Sequence, residues 1–276
     1  MTNARKIQFT LVAVAIALFV LLFIAPKTHT VTKAVETKTA SASVIATLDA
    51  FLNSVEKTLS LTEKNKYDSL INIANQSKID TAFVSVAQFW DKRKRPDLAS
   101  YFVEKTAIRK KTSSEFYTKA GDRYYYAIRF TKDNAEIPVL YESATRCYLK
   151  AIELNDENND AKIQLAACYV EGSQDPMKGI TLLREVEKTD SNNVKLQLNF
   201  AFFSVKSQQW DKAIKRFEKI LKIDPLFIEA YLHLADAYEQ QGDKAKTIEM
   251  LEKYTKVTTD AMAKQEVLKY IEQLKK

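Results

Sequence analysis

Glycine, proline, cysteine and histidine are all scarce in this chain of 276 residues, which holds four Gly, five Pro, two Cys and two His. That is too little turn chemistry for an all-β sandwich or barrel, which needs a turn about every ten residues. It is also too little for the glycine-dependent phosphate loops that open most nucleotide-binding domains. Two Cys and two His cannot build a disulfide framework or a self-contained zinc site. His29 and His233 have no second His, Cys or paired carboxylate at ligand spacing, so no metal is expected. No nucleophile stands beside a base on a strained turn, so no catalytic residue, cofactor or enzymatic activity is expected. The excess of 42 Lys and Arg over 35 Asp and Glu is moderate for this length and gives no reason to expect nucleic acid as a partner. What is present, with 46% hydrophobic and 28% charged residues, is the composition of an all-α protein.

The residues from Ile7 to Ala25 carry no charge, and only Gln8 and Thr10 interrupt the apolar run. As a helix this run would measure roughly 28 Å, close to the thickness of a bilayer core. Ala25 follows the bulky Phe23 by two positions and precedes Pro26, which makes a poor signal-peptidase site. No Cys follows the run, which excludes a lipoprotein anchor. An uncleaved single-pass anchor over residues 1–26 is therefore expected, with the membrane as a partner through this helix. Arg5 and Lys6 precede the run and Lys27, Lys33 and Lys38 follow it. The nearest charges favour an N-terminus in the cytoplasm, which in a bacterium places the rest of the chain in the periplasm, tethered to the inner membrane. Residues 27–43 have almost no large apolar side chain and read as a flexible tether.

Self-similarity organises the remainder. The segment WDKAIKRFEKILKIDP, Trp210 to Pro225, and AYLHLADAYEQQGDKAKTIEMLEKY, Ala230 to Tyr254, together resemble the tetratricopeptide repeat family. The resemblance implies a helical hairpin of 34 residues as the repeating unit and an α-α superhelix, a solenoid of about five hairpins. With Pro225 at position 32, Ile228 is position 1 of the next unit, and the register extends back to Val194, Asn159, Ser114 and Asp80. The units are then 80–113, 114–158, 159–193, 194–227 and 228–261. Position 8 reads Ala87, Gly121, Ala166, Ala201 and Ala235, and position 20 reads Ala99, Ala144, Gly179, Ala213 and Thr247. Small residues at both positions are what two closely packed helices demand.

The second unit holds about 11 extra residues between Gly121 and Ala144, about three helical turns, so an elongated hairpin is expected. Its first helix would continue through Tyr124 to Phe130, Asp133 or Asn134 would cap the second, and Pro138 would sit in the first turn. Ahead of the repeats, residues 44–79 predict two helices. Val44, Leu48, Phe51, Leu52, Val55 and Leu59 share one apolar stripe, and a second helix runs from about Thr62 to Gln76. Residues 262–276 predict a capping helix with Val267, Leu268, Ile271 and Leu274 on its inner face. Cys147 and Cys168 fall on neighbouring helices, where buried free thiols are expected and a disulfide is the alternative in an oxidising compartment.

The resemblance implies a concave groove built from positions 2, 5, 9, 12 and 13 of each first helix. Here those positions supply Tyr125, Tyr126, Ile163, Val170, Leu198, Phe202 and Val205, with Lys195 and Lys206 among the flanking charges. An apolar centre with a charged rim fits a protein or peptide partner. The carboxylate clamp of chaperone-binding relatives is not expected, because the Lys and Asn that it requires are replaced by Val84, Gln88, Thr118 and Asp122. Charge is unevenly placed, since residues 1–111 hold 17 Lys and Arg against 9 Asp and Glu while the remainder holds 25 against 26. Lys92, Arg93, Lys94, Arg95, Arg109, Lys110 and Lys111 form a candidate basic patch, to be weighed against ordinary solvated turns. Together these readings describe a non-catalytic, membrane-anchored scaffold. Similar anchored repeat proteins serve secretion, envelope-assembly and cytochrome-maturation machinery. A homo-oligomer paired through the Val44–Leu59 helix and a cytosol-facing import-type receptor are the alternatives.

Overall fold

The computed structural model describes residues 47–79, 81–172 and 175–276. The apolar run 7–25 and the tether 27–43 lie outside the described residues. No helix among those described is long and apolar enough to cross a membrane. The described residues form thirteen helices and no strand. The first, α1, covers residues 47–56. It is followed by α2 (Leu61–Gln76), α3 (Val84–Lys92), α4 (Pro96–Lys110), α5 (Ser114–Ile128), α6 (Glu136–Leu154) and α7 (Asn159–Gly172). Then come α8 (Pro176–Thr189), α9 (Val194–Lys206), α10 (Trp210–Ile223), α11 (Glu229–Gln240), α12 (Lys244–Val257) and α13 (Ala261–Lys275).

Each helix starts where its local chemistry permits. Ser60 and Glu63 form a reciprocal capping box on α2. Ser113, Asn193, Asp243 and Asp260 accept backbone N–H groups at the starts of α5, α9, α12 and α13. Pro96 and Pro176 open α4 and α8, where a missing N–H costs nothing. The elongated hairpin departs from expectation. Its first helix stops at Ile128, so the extra residues go into the loop 129–135 and into α6, which has 19 residues. The N-cap of α6 is Ala135 and makes no side-chain cap bond. Asp133 instead accepts the Ala135 N–H at 2.9 Å within the loop, while Thr131 donates to Glu136 at 2.6 Å.

From α3 onward each helix packs on the next, and the first helices α5, α7 and α9 also touch one another in turn. The small residues make this possible. All ten at positions 8 and 20 are buried. Gly179 on α8 faces Ala166 on α7 so closely that a Cβ would lie 2.5 Å from the Ala166 carbonyl oxygen. At Gly121 a Cβ would lie 2.6 Å from the ring of Tyr148, which is itself fully buried. Apolar side chains fill the space between hairpins, with Trp90, Tyr124, Leu183 and Phe217 fully buried. Ile271, Val267 and Leu274 on α13 close the last cluster, whereas Leu268, expected on the same inner face, is 43% exposed. Leu48 and Leu52 on α1 are buried in the first, so this stripe is occupied by intrachain packing rather than left for a second chain.

One polar network ties three helices together. Glu104 on α4 accepts the Tyr124 hydroxyl of α5 at 2.7 Å and the Arg146 guanidinium of α6 at 2.8 Å. Arg109 on α4 caps α2, donating to the carbonyl oxygens of Ala74, Ser77 and Ile79 at 2.7, 3.1 and 3.3 Å. Cys147 and Cys168 are both buried free thiols, and burial pushes the Cys168 thiol up to about 12.

The turns within three of the hairpins repeat one backbone state. Lys94, Gln208 and Gly242 have φ of 58°, 57° and 76°, and all three stand at position 15 of their units. Only glycine enters this left-handed region without a Cβ penalty. Gln208→Gly is therefore expected to raise stability by about 0.5–1 kcal/mol in urea unfolding, and a loss would remove the strain argument. Gly179→Ala is expected to do the opposite. Alanine gains about 1 kcal/mol over glycine in a free helix, but contact with the Ala166 backbone should turn that into a loss of about 1–3 kcal/mol.

Candidate functional site

Contact among α5, α7 and α9 makes one continuous concave surface from three first helices. It encloses about 620 Å³, lined by Asp122, Tyr125, Tyr126 and Arg129 from the α5 side, Gln164 and Glu171 from α7, and Lys195, Leu198, Asn199, Phe202 and Phe203 from α9. Tyr126 and Phe202 are its open aromatic groups, 48% and 43% exposed. The Tyr126 ring lies 4.6 Å from that of Phe130. The Phe202 ring stands edge-on to Phe217 at 5.8 Å and to His233 at 5.1 Å, and His233 stacks on Phe217 at 5.0 Å. Phe202 thus projects from a floor of two rings borne by α10 and α11.

Carboxylates and tyrosine hydroxyls frame the aromatic centre. Glu171 accepts two hydroxyls, Tyr125 at 2.7 Å and Tyr141 at 3.2 Å. Burial first, and then Glu171, pushes the Tyr141 hydroxyl up to about 12, so it remains a donor at neutral pH. Asp122 accepts the Tyr148 hydroxyl at 2.8 Å, and burial raises its pKa above the ordinary carboxylate value. Lys195 pairs with Asp160 at 3.0 Å across α7 and α9, both side chains more than half exposed, so the pair adds little stability. The surface offers apolar contact area, hydrogen-bond groups already oriented and nearly balanced charge.

Among the sequence-derived candidates, Tyr125, Tyr126, Leu198, Phe202 and Lys195 line the concave surface. Ile163 does not, being fully buried in a cluster against which the Tyr125 ring packs. Val170 and Val205 are half-buried against the core, and Lys206 is exposed outside the lining. In α7 the neighbouring Gln164 reaches the surface in place of Ile163. Arg129, Gln164, Asn199 and Phe203 were not anticipated, although Gln164 and Asn199 share position 6 of their units.

The basic patch is largely consumed by the fold. Arg93 pairs with Glu63 at 2.5 Å, Arg95 with Asp97 at 2.5 Å, and Arg109 caps α2. Lys110 lies 5.4 Å over the Phe116 ring. Lys92, Lys94 and Lys111 remain exposed. Among the described residues no group of three or more His, Cys, Asp or Glu could hold a metal ion.

Residues 204–265 match the family model for the tetratricopeptide repeat. Over those residues the chain is similar to the tetratricopeptide repeat family. Its fold is similar to a tetratricopeptide repeat protein from Parabacteroides merdae, with a TM-score of 0.55 and 13% identity over 85% of this chain and 86% of that one. It is also similar to MamA from Desulfovibrio magneticus RS-1, with a TM-score of 0.50 and 16% identity over 67% of this chain and 99% of that one. In sequence, 84 residues are 31% identical to the cytochrome c-type biogenesis protein CcmH of Escherichia coli K12. That alignment takes in 30% of this chain and only 24% of the relative.

The ring floor has a titration consequence. Burial holds the His233 pKa below its ordinary value, while Asp236 and Glu229 pull weakly the other way. The unfolded chain therefore takes up this proton first as the pH falls below about 6.5, and stability drops through that range. His233→Phe is expected to flatten the difference in unfolding free energy between about pH 7.5 and about pH 5.5. Equal pH dependence in variant and parent would show that His233 does not couple to folding.

Proposed function

We propose that this protein is a non-catalytic, membrane-anchored scaffold that recruits a partner protein or peptide into the concave surface of its tetratricopeptide repeats. The observation that carries the reading is the placement of Tyr126 and Phe202 on α5 and α9. Both are open to solvent, both border one recess of about 620 Å³, and the same recess is lined by Asp122 and Glu171, which hold tyrosine hydroxyls in place. A partner that buries two aromatic anchors within a polar rim gains most of its affinity from those anchors. The apolar run 7–25 supports a bilayer anchor, with the repeats on the periplasmic side of a bacterial inner membrane. The partial resemblance to a cytochrome c-type biogenesis protein supports an accessory or assembly role in an envelope complex. The homo-oligomeric alternative through α1 is less favoured, because Leu48 and Leu52 are already buried within the chain.

The test is photo-crosslinking of the membrane-embedded protein in its native cells, with the reactive group placed at Tyr126 or at Phe202. One dominant partner captured from both positions is the expected result. Tyr126→Ser is expected to weaken that capture about tenfold or more, as loss of a central aromatic anchor does. Self-crosslinks alone, or different partners from the two positions, would overturn the recruitment reading.

A further inference from the structure

A second recess lies on another side of the same helix. Ser204 of α9 and Ser207 just after it, with Phe200 and Phe203, face a groove of about 660 Å³ bounded by α8 and α10. At about 100° per residue these positions centre roughly 140° around α9 from Lys195, Leu198, Asn199 and Phe202 of the concave set, and Phe203 borders both recesses. The groove floor is apolar, built from Ile180, Phe200 and Phe203. Its rim is cationic, with Arg184 from α8 and Lys212, Lys215, Arg216 and Lys219 from α10, against one carboxylate, Glu187. That carboxylate is already engaged by Arg216. Arg216 is fixed further, lying 4.3 Å over the Phe200 ring and donating to Gln197 at 2.8 Å. Gln197 is fully buried and donates in turn to the Ser191 carbonyl oxygen at 2.7 Å. The cation deepest in the groove is therefore held in place from within the fold, while the rest of the rim keeps an unbalanced positive charge.

We infer that this groove is a second docking site, independent of the concave one, and that its occupant is an acidic amphipathic helix of a partner protein. Charge complementarity sets the sign of the partner, because five cations and a single engaged carboxylate attract Asp and Glu and repel basic segments. The recessed floor sets its form. Phe200 and Phe203 are each only 9% exposed, so a flat bilayer surface cannot reach them, whereas side chains projecting from a helix can. The flanking helices α8 and α10 have 14 residues each, about 21 Å, which accommodates about four turns of a bound helix. The tether of this chain does not qualify as the occupant, since it carries Lys27, Lys33 and Lys38 against Glu36 alone.

The experiment uses the full chain in mild detergent and a fluorescein-labelled helical peptide with Leu at i, i+3, i+4 and i+7 and Glu on the flanking positions. Fluorescence anisotropy is expected to show binding that weakens with added salt. Lys212→Glu combined with Lys215→Glu reverses two exposed charges and should lower affinity about tenfold or more, with the helical circular dichroism unchanged. A peptide with Ser in place of Leu should bind comparably weakly, and Tyr126→Ser should leave the affinity for the Leu peptide as it was. Absence of binding, equal binding of the Ser peptide, or loss of binding on Tyr126→Ser would each overturn the assignment. So would charge reversal that abolishes binding to phosphatidylglycerol vesicles while leaving peptide binding intact.

Discussion

The close approach of helix backbones at positions 8 and 20 is the constraint on which the rest of this protein depends. Where Gly179 meets the Ala166 carbonyl oxygen there is no room for even one methyl group. That spacing brings the two helices of a hairpin together, lets the next hairpin stack on them, and leads the first helices of successive units to line one side. The recess bordered by Tyr126 and Phe202 exists because α5, α7 and α9 touch in sequence. A repeat array of this kind gains stability from the interface between neighbours rather than from any single unit, so a fault at one contact weakens the stack locally.

On this frame the polar groups divide by function. Glu104 and Tyr124 are buried and Arg146 half-buried beside them, and their hydrogen bonds join three helices at the junction of the first two hairpins. Removing one member would leave the others with uncompensated polarity in the core. Glu171 and Asp122 also accept tyrosine hydroxyls, but at the edge of an open recess where a partner can compete for them or add to them. The helix α9 serves two surfaces at once, one aromatic with nearly balanced charge and the other cationic with a recessed floor. A scaffold able to hold two chemically different partners on either side of one helix suits an assembly role better than a single groove would.

The errors made in reading the sequence share a physical cause. Ile163 stands at a position expected to face the groove, yet the first helices do not pack at identical rotations, and in α7 the neighbouring Gln164 faces outward instead. The basic patch looked like a surface feature because its arginines are clustered along the chain. The partners of Arg93 and Arg109, Glu63 and the carbonyl oxygens of Ala74, Ser77 and Ile79, stand some 30 or more residues earlier, whereas Arg95 pairs with Asp97 two residues on. The expected cap of α6 failed because Asp133 spends its carboxylate within the loop, on the Ala135 N–H.

Much of the local structure was legible. Helix positions, the spacing of small residues and most of the apolar stripe of α13 depend on contacts within a few residues or on a period that the chain itself displays. What the sequence by itself determined is therefore the helical class and the repeat with its register. Only the tertiary structure decided which groove residues keep an exposed face, which cations are already paired, and that α8, α9 and α10 enclose a second recess. Those properties depend on how neighbouring hairpins rotate and stack, a long-range geometry that no short period in the sequence encodes.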